Sequence, residues 1–190
     1  MNPLETLAQW LDEARSAGAR DADAMALATA DAGGRPAVRI VYCRGIDERG
    51  VRFFTSYASR KATELLHRPE AAAVFHWSVT KHQVRIEGEV EKLSADESDA
   101  YFRSRPRDSQ LSAAVSPQSA TIESLEVLRE QRRLLDESLR GREVPRPTNW
   151  GGYRLLARSV ELWTSGEGRL HDRVLYERRG DGWESKRLGP

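Results

Sequence analysis

Arg169, His171 and Arg173 occupy every second position in the stretch GRLHDRVLYERR. If that stretch is extended, its side chains alternate and all three point the same way. Two guanidiniums beside an imidazole suit an anionic, planar ligand; the plain alternative is a solvated strand face. The chain as a whole carries a formal charge of only +1, so any anion site is local and nothing advertises nucleic acid or an anionic membrane as partner.

Other cations stand where helices begin or end. Arg60 and Lys61 follow Ser59 at the first turn of an expected helix, where free N–H groups suit phosphate and a cation is otherwise unfavourable. Arg39 shares its strand face with Ala37, Val41 and Cys43, so it needs an anionic partner, either a ligand or a carboxylate of the chain. SRPRDSQ (104–110) offers Arg105, Arg107 and Ser109, with Tyr101 one helical turn earlier. These would make a second phosphate site or an exposed basic loop. In SPQS, Gln118 and Ser119 offer neutral hydrogen bonds, and Trp163 offers a flat apolar wall or ordinary core packing.

Several common chemistries are absent from the pattern. There is no glycine-rich dinucleotide fingerprint, no phosphate loop ending in Gly-Lys-Ser/Thr and no nucleophile elbow. His67, His76, His82 and His171 lack the spacing of a zinc site, and no metal is expected. The single cysteine, Cys43, excludes an internal disulfide and reads as a small buried strand residue, with an exposed redox role as the alternative.

The elements that must carry these side chains are mostly short strands. NPLETLAQWLDEARSAG reads as a helix within residues 1–18, capped by Asn2, started by Pro3 and closed by Gly18, with Leu4, Leu7, Ala8 and Leu11 on one face. AMALATA, AVRIVYCR and VRFFTS follow as an antiparallel meander, since the turns between them are too short for crossover helices. SRKATELLHR is a helix stopped by Pro69; AAAVFHW and HQVRIEGEVEKL are strands. SADE is a capping box, so DESDAYFRS is helical up to Pro106. A longer helix spans 122–141, with Leu125, Leu128, Leu135 and Leu139 in a stripe and Gly141 as terminator. EVPRPTNWGG is a loop, and YRLLA, VELWT, RLHDRVLYER and WESKRL are strands. The pattern is mainly β with peripheral helices (α+β), suggesting a closed antiparallel barrel. No composition break marks a boundary, so residues 1–190 are expected to form one domain. No apolar run reaches membrane-span length and no basic-then-apolar leader opens the chain, so a cytoplasmic location is expected.

RIVYCR, FFTSYASRK, HQVRIEGEVEKLS, YFRSRPRDSQ, VSPQS, NWGGYR, VELW and GRLHDR, taken in order, resemble the pyridoxine/pyridoxamine 5′-phosphate oxidase family. The match is colinear from about Trp10 to Pro190. The resemblance implies an FMN-binding split β-barrel working as a homodimer, with flavin at the subunit interface. It implies oxidation of pyridoxine or pyridoxamine 5′-phosphate at C4′ to pyridoxal 5′-phosphate, with O2 as electron acceptor and H2O2 released. Flavin contacts then fall on Arg39, Ile40, Phe54, Thr55, Arg60, Lys61, Gln83, Gln118, Ser119, Trp163 and Arg173. Tyr101, Arg105 and Ser109 fall around the substrate phosphate, and Arg169 and His171 fall at the pyridine ring as the catalytic pair. Arg173 would face flavin while Arg169 and His171 face the substrate stacked on it.

The chain departs from the family at several points. Arg44 stands where a substrate-binding lysine is usual, keeping the charge but changing reach and geometry. Tyr42 and Cys43 replace aliphatic residues, His82 replaces a common arginine, and Ser112 and Ala114 replace a glycine and a tryptophan. The family's N-terminal extension is not present in the sequence as given, and with it part of a lid over the substrate. A related flavin oxidase of the phenazine-biosynthesis type is the alternative, favoured by Arg44 and opposed by Tyr101, Arg105 and Ser109. A non-catalytic flavin- or vitamin-binding barrel is a third reading, opposed by the intact RLHDR.

Overall fold

The structure, a computed structural model, describes residues 2–190. Helix α1 (Pro3–Ser16) begins where Asn2 Oδ1 accepts the Leu4 N–H at 3.1 Å, and the chain leaves it through Gly18 at φ +82°. Its Leu4, Leu7, Leu11 and Ala14 are buried, each Leu contributing about 1.5–3 kcal/mol by leaving water. Strands β1 (Ala24–Ala30), β2 (Pro36–Tyr42), β3 (Ile46–Asp47) and β4 (Gly50–Ser56) follow, then α2 (Arg60–His67), β5 (Glu70–Trp77) and β6 (His82–Lys92). Three helices come next: α3 (Ala95–Ser104), α4 (Arg107–Val115) and α5 (Leu125–Leu139). The chain ends in β7 (Trp150–Leu156), β8 (Ser159–Thr164), β9 (Asp172–Arg179) and β10 (Gly182–Arg187).

All strand pairs are antiparallel, and the sheet forks. One path runs β10-β9-β8-β6-β5-β1-β2, and the other leaves β6 through β7 to β4 and β3. Long β6 makes the fork: residues 82–87 pair with β8, and residues 90–92 pair with β7. Gly88 sits at the switch, where a Cβ would stand 1.8 Å from the Leu156 carbonyl oxygen. The main core fills the curl of the sheet, with Leu27, Phe53, Phe75, Val84, Ile86, Leu155 and Val160 all at 0% exposure. A smaller cluster of Phe102, Leu111, Val144 and Trp150 lies under the helices.

Five readings of the strand and helix pattern are corrected. The barrel is split, as the family resemblance implies, and not closed, as the strand pattern alone suggests: among the described residues β2 pairs only with β1, and β10 only with β9. The meander also breaks, because β4 pairs with β7 instead of β2; turn length fixed the direction of the strands but not their neighbours. Residues 107–115, unassigned on sequence, form α4, whose N-cap is Pro106 and which carries no side-chain cap to announce it. The leucine stripe of α5 is only half used: Leu135 and Leu139 pack on the small cluster, while Leu125 is 58% exposed. Trp150, Gly151 and Gly152, read as loop, are strand residues packed so tightly that a Cβ on Gly151 would meet the Tyr57 hydroxyl. Cys43 is buried, and burial pushes its thiol above the ordinary value, as suits a packing residue. No helix among the described residues is long and apolar enough to cross a membrane.

Candidate active site

A cavity of about 790 Å³ opens where β2, β4 and α2 meet α3, α4 and the 116–118 loop. Ten of the sequence-derived candidates line it: Arg39, Ile40, Arg44, Phe54, Thr55, Lys61, Tyr101, Arg105, Ser109 and Gln118. Cations and hydroxyls dominate the lining, with Asp108 its single carboxylate. Such a wall selects for anions.

Two cations in this wall lack full partners. Lys61, on the first turn of α2, is buried and donates from Nζ to Thr55 Oγ1 (3.1 Å) and Ser59 Oγ (3.4 Å). Burial, reinforced by neighbouring Arg39 and opposed by Glu64, pushes its pKa below the ordinary lysine value. Ser59 makes no side-chain hydrogen bond to the helix backbone, so the first turn of α2 keeps its N–H groups available. Arg105, at the end of α3, lies with its guanidinium 4.7 Å over the Trp150 ring. Its Nη1 is buried without a hydrogen-bond partner, and burial, with Arg44 nearby, lowers its pKa. A buried guanidinium nitrogen left unsatisfied is costly, and an incoming anion removes that cost.

Aromatic rings floor the cavity. Tyr101 stacks on Phe54 at 3.9 Å, and Phe54 lies 5.7 Å from Trp150. The 116–118 loop is pinned to β4: Gln118 Oε1 accepts from Thr55 Oγ1 at 2.6 Å and from the Ser56 N–H at 3.1 Å. Arg44 pairs with Asp23 and lies over the Tyr42 ring at 4.8 Å.

Glu64 organises the rim. It accepts from Thr29 Oγ1 (2.5 Å), Arg39 Nη2 (2.9 Å) and Arg60 Nε (2.8 Å). Burial works against its charged form, but those hydrogen bonds outweigh it and hold the carboxyl below the usual range. The carboxylate partner considered for Arg39 therefore exists, and Arg60 turns to Glu64 rather than into the cavity. Arg107 pairs with Asp136 of α5 at 2.7 Å. Ser119 is exposed, at φ +72°.

The remaining candidates form a second cluster, on β6, β8 and β9. Gln83, Trp163 and Arg173 are directly opposed across the three strands, so they share one face. The His171 ring lies 4.7 Å from Trp163, and its Nδ1 accepts the Gly166 N–H at 3.2 Å, which leaves Nε2 to carry the proton in the neutral ring. The alternation that opened the sequence reading is corrected here. Glu167–Arg169 is a 3-10 turn, Arg169 has φ +65°, and the strand starts only at Asp172. Gly166 and Gly168 are the reason: a Cβ at Gly166 would stand 1.9 Å from the Leu170 oxygen, and Gly168 has φ +57°. Of the three residues only Arg173 is on the strand; Arg169 stands exposed on the turn.

The first cluster borders β2 and the second is centred on β6, β8 and β9, with β1 and β5 between β2 and β6 in the sheet. Within one chain the two stay separate. Sequence reasoning missed Trp150, hidden in a segment read as loop, and Glu64, two of whose three partners named above lie 25 and 35 residues away.

Residues 11–131 match the family model for pyridoxamine 5′-phosphate oxidase, and residues 150–190 match that for the pyridoxine 5′-phosphate oxidase C-terminal dimerisation region. The chain is 48% identical over 189 residues to the pyridoxine/pyridoxamine 5′-phosphate oxidase of Cyanothece sp., covering 100% of this chain and 89% of that protein. It is 46% identical to the Rubrobacter xylanophilus protein of the same name, with 100% and 87% covered. Among solved structures it is similar to PhzG from Burkholderia lata in complex with tetrahydrophenazine-1-carboxylic acid. The TM-score there is 0.94 at 35% identity, over 100% of this chain and 93% of that one. A pyridoxamine 5′-phosphate oxidase-related, FMN-binding protein from Nostoc punctiforme shares the fold, with a TM-score of 0.77 at 23% identity over 98% and 96% of the two chains.

Proposed function

Since the chain belongs to the pyridoxamine 5′-phosphate oxidase family, whose members are oxidoreductases, we propose that it is an FMN-dependent oxidase of pyridoxine and pyridoxamine 5′-phosphates. Its working form is a homodimer in which the cavity of one protomer meets the β6–β8–β9 cluster of its partner. The matched dimerisation region and the separation of the two clusters within one chain support that arrangement.

The residues fit the cofactor. Buried Lys61, with no carboxylate among its hydrogen-bond partners, and the side-chain-uncapped start of α2 suit the FMN phosphate; Thr55, Gln118 and Arg39 border the same space. Gln83, Trp163 and Arg173 would approach from the partner protomer. When bound, FMN supplies the two-electron acceptor, with O2 as final oxidant and H2O2 as product.

The protein's own contribution is placement. Arg105, Arg44, Tyr101 and Ser109 hold the substrate phosphate, and the Phe54–Trp150 floor keeps water from the ring. Arg169 brings positive charge to the pyridine, and His171, with Nδ1 committed to Gly166, presents Nε2 to it. The unpartnered Nη1 of Arg105 carries this reading, because it marks an anion niche inside a cation-lined cavity.

One observation favours the phenazine-type alternative: Arg44 is already engaged by Asp23 and Tyr42, leaving the niche one free cation poorer. The deciding experiment adds pyridoxamine 5′-phosphate anaerobically to the yellow protein and follows the flavin absorption. Bleaching, with about one aldehyde formed per flavin and the yellow colour restored on admitting air, supports the vitamin oxidase; bleaching only by a reduced phenazine carboxylate assigns the alternative.

A further inference from the structure

Glu161 sits in the middle of β8, only 5% exposed, with its two carboxylate oxygens divided between neighbouring strands. Oε2 accepts from Arg85 Nη1 of β6 at 3.0 Å, and Oε1 accepts from Arg173 Nε of β9 at 2.9 Å. The register accounts for both contacts. Arg85 is directly opposite Glu161, while Arg173 is its diagonal neighbour, two residues before the directly opposed Leu175. Period-two alternation then puts Gln83, Arg85, Glu161, Trp163 and Arg173 on one sheet face.

Arg173 is held from a second side as well. Its Nη1 donates to the Gly189 carbonyl at 2.9 Å, and its own carbonyl accepts the Leu188 N–H at 2.9 Å. A long side chain fixed at both Nε and Nη1 has lost most of its rotamer freedom, so it meets a ligand without a further ordering cost. A buried carboxylate next to two guanidiniums also keeps their mutual repulsion from turning Arg173 away.

We propose that Glu161 is a positioning residue of the cofactor site: its buried carboxylate, braced by Arg85, fixes the guanidinium of Arg173 where flavin is to be met. The proposal rests on the reading that Arg173 contacts FMN, and the test separates the two. FMN release from diluted holoprotein is followed by flavin fluorescence, together with the flavin's visible absorption. The wild type is compared with Glu161→Gln, Arg173→Ala and the double variant. Losing one charge-assisted hydrogen bond is worth about a tenfold change, so Glu161→Gln is expected to release FMN about tenfold more readily and to shift the absorption bands. In the Arg173→Ala background the same change is expected to do nothing further. Equal weakening in both backgrounds overturns the proposal, since Glu161 would then act on the fold and not through Arg173. An inert Glu161→Gln beside a damaging Arg173→Ala overturns it while leaving the cofactor assignment of Arg173 intact. An inert Arg173→Ala overturns both. Should the Gln variant not fold, Glu161→Asp, which keeps the charge and shortens the reach, is read by the same criteria.

Discussion

Lys61 donates from Nζ to the Thr55 hydroxyl at 3.1 Å, buried at the start of α2, with the Ser59 hydroxyl as its only other hydrogen-bond acceptor among the described residues. Two neutral hydroxyls do not compensate a buried ammonium, so the pair stores an unmet demand for negative charge. Glu64, one helical turn on, is spent on Arg39, Arg60 and Thr29. The arrangement therefore suits an anion.

Replacing Lys61 with Met is expected to weaken FMN retention at least about tenfold while making the flavin-free protein more stable at neutral pH. The pH dependence has a definite sign. Because the folded-state pKa lies below the ordinary 10.5, the unfolded chain binds more protons in the interval between the two values. The penalty of charging Lys61 is thus fully present below its folded pKa and fades as pH climbs toward 10.5. Thermal melts of the two flavin-free proteins should converge as pH rises; a constant gap would argue against a charged Lys61.

Arg105→Lys is expected to raise KM for the phosphorylated substrate by about two orders of magnitude, with FMN retained. A compact ammonium can neither stack on Trp150 nor grip a phosphate with two prongs. Steady-state kinetics with pyridoxamine 5′-phosphate measures this. The unphosphorylated amine should be turned over equally poorly by both proteins, and a lysine variant with unchanged KM would move the phosphate niche elsewhere.

Local signals were the readable ones. Asn2 and Gly18 bound α1, and the reciprocal Ser94–Glu97 capping box starts α3, because each is settled within a few residues. Cations at helix ends gave away much of the cavity for the same reason. What stayed hidden needed distant partners: nothing local marks Glu64 as the organiser of the rim until Thr29 and Arg39, 35 and 25 positions earlier, come beside it. Strand neighbours were hidden too, since turn length says nothing about β4 choosing β7 over β2. Strict alternation misled where Gly166 and Gly168 coil the backbone before Arg173.

The fork in the sheet depends on Gly88, whose missing side chain lets the Leu156 carbonyl approach as β6 changes partner. Gly88→Ala is expected to cost about 3 kcal/mol or more, because the obstacle is backbone that cannot rotate away. Urea unfolding measures it. Gly189→Ala, where an added Cβ meets nothing within 4 Å among the described residues, serves as the control and should fall within about 0.5 kcal/mol of the wild type. Equal midpoints for the two variants would mean that β6 can fork without the glycine.

Arg169 offers the cleanest separation of catalysis from folding. Its side chain is exposed and makes no ion pair or hydrogen bond among the described residues, so Arg169→Ala removes no contact seen there. The backbone there is already at φ +65°, a conformation that burdens Ala and Arg alike. The variant is expected to melt at the wild-type temperature and to keep its yellow colour, while kcat/KM for pyridoxamine 5′-phosphate falls by about 100-fold or more. Loss of flavin would assign the guanidinium to the cofactor, and undiminished turnover would remove Arg169 from the site. Arg173→Ala should behave in the opposite way, shedding FMN, because Arg173 is wired into Glu161 and the Gly189 carbonyl on the strand face proposed to meet the flavin.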